Sequence, residues 1–132
     1  MTMQMVRPGA EAWFASDSPT SAFSAVFEDD GNCGYLYAWD RDLPESARIL
    51  DAVMIYAVDR LPDQVREREV DLEIVWSADG LKAGLRVGGG LQAVLDFEAR
   101  EGFCRMGFPP VLKRWGGGAR GAWRDELVDR LG

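Results

Sequence analysis

A chain of 132 residues with 47% hydrophobic and 28% charged side chains is composed like one soluble globular domain, too short for two independent cores. Its formal net charge of −7 argues against nucleic acid, whose phosphates a binder neutralises with Lys and Arg. No stretch approaches the ~18 consecutive apolar residues of a membrane-spanning helix. The opening MTMQMVRPGAEAWF has no uninterrupted apolar region, so no signal peptide is expected. Two cysteines, Cys33 and Cys104, are too few for a disulfide framework. The expected compartment is the cytoplasm, with both thiols reduced and a bridge between them unsupported.

In chain order, residues 1–22 lack sustained alternation and form an N-terminal segment, in which AEAWFA could make a helical turn or an edge strand. Residues 23–28, FSAVFE, alternate, with Phe23, Ala25 and Phe27 on one side. After DDGN, residues 33–39 place Tyr35, Tyr37 and Trp39 on one face. Two alternating runs joined through Asp-Gly predict a hairpin. Residues 48–58 are ambiguous in period, but β-branched and aromatic residues at 53–58 favour a strand there. Residues 59–69 form a charged connection with room for one helical turn.

Four further short strands are predicted over 70–76, 81–87, 91–97 and 103–107, separated by SADG, GGG and EAREG. Short connections make consecutive strands antiparallel neighbours, a meander with one wet and one buried side. Leu72, Ile74, Ala83, Leu85, Leu91, Ala93 and Leu95 belong to the buried side. The β core thus covers 23–107. Residues 108–121 are a basic, Pro/Gly-rich loop, and 122–131 fit a short helix with Trp123, Leu127 and Leu131 on one stripe. Charge divides along the same line. Residues 1–99 carry 18 acidic and 8 basic side chains, residues 100–132 carry 4 and 7, so tail and core are expected to cover each other.

The cluster Asp29-Asp30-Gly31-Asn32 raises the question of a cation site. Adjacent carboxylates on an extended chain diverge, and a calcium loop needs alternating ligands and a distal glutamate. A match at a constant offset of 49 residues relates Val26-Phe27 to Val75-Trp76, Asp30-Gly31 to Asp79-Gly80 and Leu36 to Leu85. The second copy keeps Asp-Gly and replaces Asp29 with Ala78, so the aspartates read as turn formers and no metal site is expected. The match itself fits either two related half-sheets or convergence on good hairpin chemistry.

There is no histidine, hence no Ser–His or Cys–His pair, and no CxxC, GxxxxGK[ST] or GxGxxG. No cofactor is implied. The remaining polar candidates are Asp96 and Glu98, on one face at the end of a strand, with Arg105 on the strand expected opposite them; a cross-strand ion pair is the plainer account. Tyr35, Tyr37 and Trp39 are expected to pack into the core, and facing outward they would be a binding platform. Trp115, flanked by Lys113, Arg114 and three glycines, is either an anchor or a contact for a partner.

The strings VFEDDGNCGYLYAWD, ILDAVMIY, IVWSADGLKAGLRVGG and AVLDFEAREGFCRMGFPP resemble a family of small bacterial proteins known as domain of unknown function 2251. The resemblance runs over about 23–110, is most specific at WSADGLKA and DFEAREGFCRMGFPP, and implies a bacterial origin and a shared fold but no catalytic residue.

The expected fold is α+β with β dominant: six or seven strands in an antiparallel, meander-rich curved sheet or small sandwich, with a short C-terminal helix. The expected function is a non-enzymatic module that binds a protein or small ligand, a regulatory or toxin-neutralising role being one version. The rival is a carboxylate-dependent enzyme acting on a small charged substrate through Asp96 or Glu98 with Arg105. Strand edges could also build a homodimer.

Overall fold

The computed structural model describes residues 2–66, 68–105 and 131. Among these the fold is mainly β, with nine strands in two antiparallel sheets that do not close into a barrel. The strands are β1 (Thr2–Val6), β2 (Ala12–Asp17), β3 (Phe23–Asp29), β4 (Cys33–Asp40), β5 (Ile49–Ala57), β6 (Val70–Trp76), β7 (Lys82–Val87), β8 (Gly90–Asp96) and β9 (Glu101–Cys104). One sheet has the order β2-β3-β4-β5, and the other β1-β6-β7-β8-β9. Both are meanders, except that β1 adds to the free edge of β6. Short helical elements among the described residues include 3-10 turns at Glu45–Ala47 and Val58–Arg60 and a helix, α1, at Asp63–Arg66. The C-terminal helix, the basic loop and Trp115 lie outside the described residues.

The sheets face each other across one apolar core, to which the first contributes Phe14, Phe27, Leu36 and Val53 and the second Leu72, Ile74, Leu85 and Leu95. Burying such side chains is worth about 1.5–3 kcal/mol each, which holds the layers together. Polar seams fix how they sit. Phe97 stacks on Phe23 at 4.5 Å and on Trp76 at 5.7 Å, joining the sheets through rings. Trp76 Nε1 donates to Ser16 Oγ at 3.0 Å, and the Ser18 hydroxyl donates to Gly80 O at 2.7 Å. At the opposite edge the Cys104 thiol donates to Met54 O at 3.0 Å.

The strand count exceeds the expected six or seven because β1 and β2 carry no legible alternation. On β1, Met3 and Met5 point outward and are exposed. On β2 the pattern is mixed, with Phe14 and Ser16 buried and Trp13 outside. Two boundaries move, and one residue changes face. β5 begins at Ile49, earlier than the expected 53. β9 begins at Glu101 because the Asp96 carboxylate accepts the N–H groups of Glu98 and Ala99, and Arg100 adopts φ 57°, closing the turn early. Leu91 leaves the main core: the register shift between Leu85 and Arg86 turns it to the outer side, where it clusters with Val94 and Phe103, and Leu131 packs against them. A bulge of this kind offsets the alternation by one residue.

The Asp-Gly corners bend the backbone. Asp30 Oδ1 accepts the N–H groups of Asn32 and Cys33, each at 2.9 Å, and Asp79 Oδ1 accepts from Leu81 N–H at 3.0 Å and from the Ser77 hydroxyl at 2.6 Å. These are the side-chain-to-backbone bonds that favour aspartate in turns. The two hairpins are nevertheless not superimposable copies. Phe27 pairs with Leu36, whereas Trp76 pairs with Ala83, two residues short of the Leu85 that the sequence match requires. Similar turn chemistry therefore closes loops of different length.

Asp29 differs from Asp30. Its carboxylate is 2% exposed and gathers donors from separate segments: Tyr56 Oη at 2.5 Å and Gly9 N–H at 2.7 Å on Oδ2, and Gly31 N–H at 2.8 Å on Oδ1. Asp29, Gly34 and Tyr56 are direct neighbours across three strands, and a Cβ on Gly34 would lie 2.6 Å from the Tyr56 ring. Glycine is required there so that the ring can cross β4 and reach Asp29. Burial, followed by the bond to Asp29, raises the Tyr56 pKa well above its ordinary value of 10.0. Tyr56→Phe is expected to cost about 1–3 kcal/mol in urea unfolding, because a buried carboxylate loses a donor. Since the folded pKa is raised, the stabilisation is complete below about pH 10 and is lost as pH rises further. Wild type should therefore lose stability above that pH more steeply than Tyr56→Phe does.

Candidate functional site

The outer face of the β2-β3-β4-β5 sheet is built by the same alternation that sends Phe14, Phe27 and Leu36 inward. Its first row across the strands is Trp13, Glu28, Tyr35 and Met54, and its second is Ala15, Val26, Tyr37 and Ala52. A third row holds Asp17, Ser24 and Trp39. The aromatic stripe of β4 therefore lies on the outside of the sheet, not in the core; Leu36 and Ala38 are the core residues of that strand.

The face is a packed aromatic layer. Trp13 and Trp39 have ring centroids 6.2 Å apart, and those of Tyr35 and Tyr37 are 5.9 Å apart. Each such pair contributes about 0.5–1.5 kcal/mol beyond area burial. Arg48 lies 5.9 Å from the Trp39 ring centroid, within reach of a cation–π contact. Beneath the layer, Val26 and Ala52 are fully buried although they point away from the core. The Tyr37 hydroxyl donates to Glu28 Oε1 at 2.8 Å. Burial, then Glu28, raises the Tyr37 pKa, and burial, then the Cys33 side chain, pushes Tyr35 up to about 12, so both phenols stay protonated at neutral pH. Trp39 Nε1 is a buried donor with no acceptor among the described residues.

Trp13 is 54% exposed on the outermost strand of this sheet. It forms one wall of an open depression of about 410 Å³ lined also by Glu11, Glu28 and Asp30, with no basic side chain among the described lining residues. Glu11 and Asp30 are exposed and Glu28 is half-buried. The Cys33 and then the Asn32 N–H groups lower the Asp30 pKa, keeping it ionised. The depression thus combines an aromatic wall with several anionic side chains, a surface matched to a cation on an apolar stem. The signal for Trp13 in the sequence is its position in AEAWFA, where two large aromatic residues in succession, Trp13 and Phe14, give no face assignment.

The other sequence candidates are dispersed. Asp96 is buried and serves the β8–β9 turn, pairing in register with Lys82 and Glu101. Glu98 is in that turn, 3.8 Å from Lys82 Nζ. Arg105 is at the far end of the hairpin. Its backbone N–H donates to Gln92 O at 2.8 Å, and its Nε donates to Leu91 O at 3.0 Å. The expected juxtaposition of Arg105 with Asp96 and Glu98 is therefore not formed, because the early start of β9 sets Glu101 opposite Asp96. Among the described residues no three Cys, Asp or Glu side chains are gathered as a metal-ligand set. No helix among them is long and apolar enough to cross a membrane.

The profile of DUF2251, an uncharacterized protein conserved in bacteria, matches residues 6–132. The chain belongs to this family. An uncharacterized protein of Haemophilus influenzae is 36% identical over 96 residues, covering 70% of this chain and 57% of that relative. The chain thus spans little more than half the length of this curated relative. No solved structure matches.

The Asp30 turn makes a pH prediction. A carboxylate whose folded pKa is lowered contributes stability above its unfolded value near 4 and loses it as pH falls. Asp30→Asn should flatten the acid limb of thermal stability below about pH 4 relative to wild type, followed by circular dichroism melts.

Proposed function

We propose that this DUF2251 protein is a non-enzymatic binding module that docks a basic segment of a partner protein on the outer face of its four-stranded sheet. The observation that carries this reading is Trp13, largely exposed beside Glu11, Glu28 and Asp30 in a depression with no cation among its described lining residues. A lysine or arginine of the partner would lay its stem on the Trp13 ring and its charge against the carboxylates, while the packed Trp39 and tyrosines keep the platform rigid. A net charge of −7 adds long-range attraction for a basic partner. The carboxylate-enzyme alternative gains no support from the geometry, since Asp96, Glu98 and Arg105 do not converge. A regulatory or toxin-neutralising role is one setting in which such docking would operate.

The reading is tested with fluorescein-labelled octapeptides, one rich in Lys and Arg and one of the same length rich in Asp and Glu, by anisotropy at two salt concentrations. Selective binding of the basic peptide is expected, weakening with salt and falling about tenfold or more in Trp13→Ala. That substitution should lower the melting temperature by only a few degrees, because it removes the Trp13–Trp39 ring contact but no core side chain. Equal affinity of wild type and Trp13→Ala would overturn it. So would self-association that buries Trp13 and blocks the peptide, since the face would then join two copies of this chain.

A further inference from the structure

At one end of the sandwich, away from the aromatic face, the core is not filled. A cavity of about 200 Å³ opens between Ile55 and Tyr56 of β5 and Leu72 and Val87 of the other sheet, roofed by Leu61 and Val65. Its lining is almost wholly apolar. The Tyr56 hydroxyl is committed to Asp29, which leaves the half-buried Gln92 side chain as the polar group at the cavity. The roof comes from the connection between β5 and β6, whose four-residue α1 contains no buried residue, and Val65 is 38% exposed. A roof held so lightly can part without breaking either sheet.

We infer that this cavity is a binding site for a small uncharged molecule with an apolar body and one hydrogen-bonding end. Size sets the body. An apolar cavity of about 150 Å³ admits benzene, so about 200 Å³ admits a ring with one or two further carbons, or a hydrocarbon chain of similar volume. Chemistry sets the end group. Among the described residues no Lys or Arg lines the cavity to hold an anion, and no carboxylate lines it to hold a cation. The Gln92 amide both donates and accepts, which suits a hydroxyl or a carbonyl. Apolar pockets with a single polar group are the ordinary form of small-molecule sites, the polar group fixing orientation.

The probes are 4-ethylphenol for the ring and 1-heptanol for the chain, with ethylbenzene lacking the polar end. Binding is followed by methyl-selective NMR and by thermal melts of the full chain. Saturable shifts of the Leu72, Val65 and Val87 methyl signals are expected with at least one hydroxylated probe, along with a rise of several degrees in melting temperature. Ethylbenzene should bind several-fold more weakly, a difference removed by Gln92→Leu. Val87→Phe should fill the space and abolish the shifts. Because Val87→Phe may strain the core, Val65→Phe, from the exposed roof, supplies a second block. The inference is overturned if neither hydroxylated probe moves these signals near its solubility limit, or if binding persists undiminished in a folded Val87→Phe or Val65→Phe protein. Trp13→Ala should leave probe binding intact, so the cavity and the docking face stand or fall separately.

Discussion

The buried carboxylate of Asp29 is the constraint on which the arrangement of this domain rests. A charge removed from water must be met by donors, and here they come from β5, the β1–β2 loop and the β3–β4 turn. One side chain thus ties the strands of the four-stranded sheet to the segment that leads in from the other sheet. The bond to Tyr56 passes over Gly34, so three residues distant in sequence depend on one another. The corresponding place in the second hairpin has Ala78 and Ala83, and no tyrosine crosses there; the second turn is instead held by Ser18 and Thr20, which donate to Gly80 O and Asp79 O at 2.7 Å each. Both corners are clamped by a neighbouring loop, through different chemistry.

Because these clamps and the Phe23–Phe97–Trp76 stack set the sandwich, its two unusual regions follow from geometry. Ile55 and Tyr56 come to face Leu72 and Val87, and the short connection above them is too small to fill the gap. On the outside, the flat pairing of β2, β3 and β4 aligns Trp13, Glu28 and Tyr35 in a row. Cavity and face therefore share the scaffold but no lining residue.

Much of this was legible where hydrophobic alternation is strong. The hairpin at 23–39, the meander at 70–104 and the inward sets Phe23/Ala25/Phe27 and Ala83/Leu85 follow directly from period two. Legibility failed where a strand contributes little to the core. β1 sits at an edge and offers Met3 and Met5 to solvent, and β2 sets a serine inward and a tryptophan outward. It failed again where a bulge shifts phase, at Leu91. The β4 stripe was visible as a stripe, but which side it faces depends on whether its ring row or the Leu36/Ala38 row meets the second sheet, information carried by distant strands. Asp29 could not be told from Asp30, since only the crossing tyrosine distinguishes the buried carboxylate from the exposed one.

The aromatic outer face of the four-stranded sheet bears most directly on function. Stability alone favours large rings inside and small or polar residues outside. This sheet buries Phe14, Phe27 and Leu36 on its inner side as expected, yet Trp13, Tyr35, Tyr37 and Trp39 occupy the outer one. Trp39 even carries a buried indole N–H without an acceptor among the described residues, a cost of about 1–3 kcal/mol that an apolar side chain would avoid. Departures from local rules of this kind are expected where a sequence meets a second demand beside folding. Here the demand consistent with the arrangement is recognition: rings packed on one another hold Trp13 in place, and the anionic side chains beside it supply what a hydrophobic patch lacks, a preference for the sign of charge on what it meets.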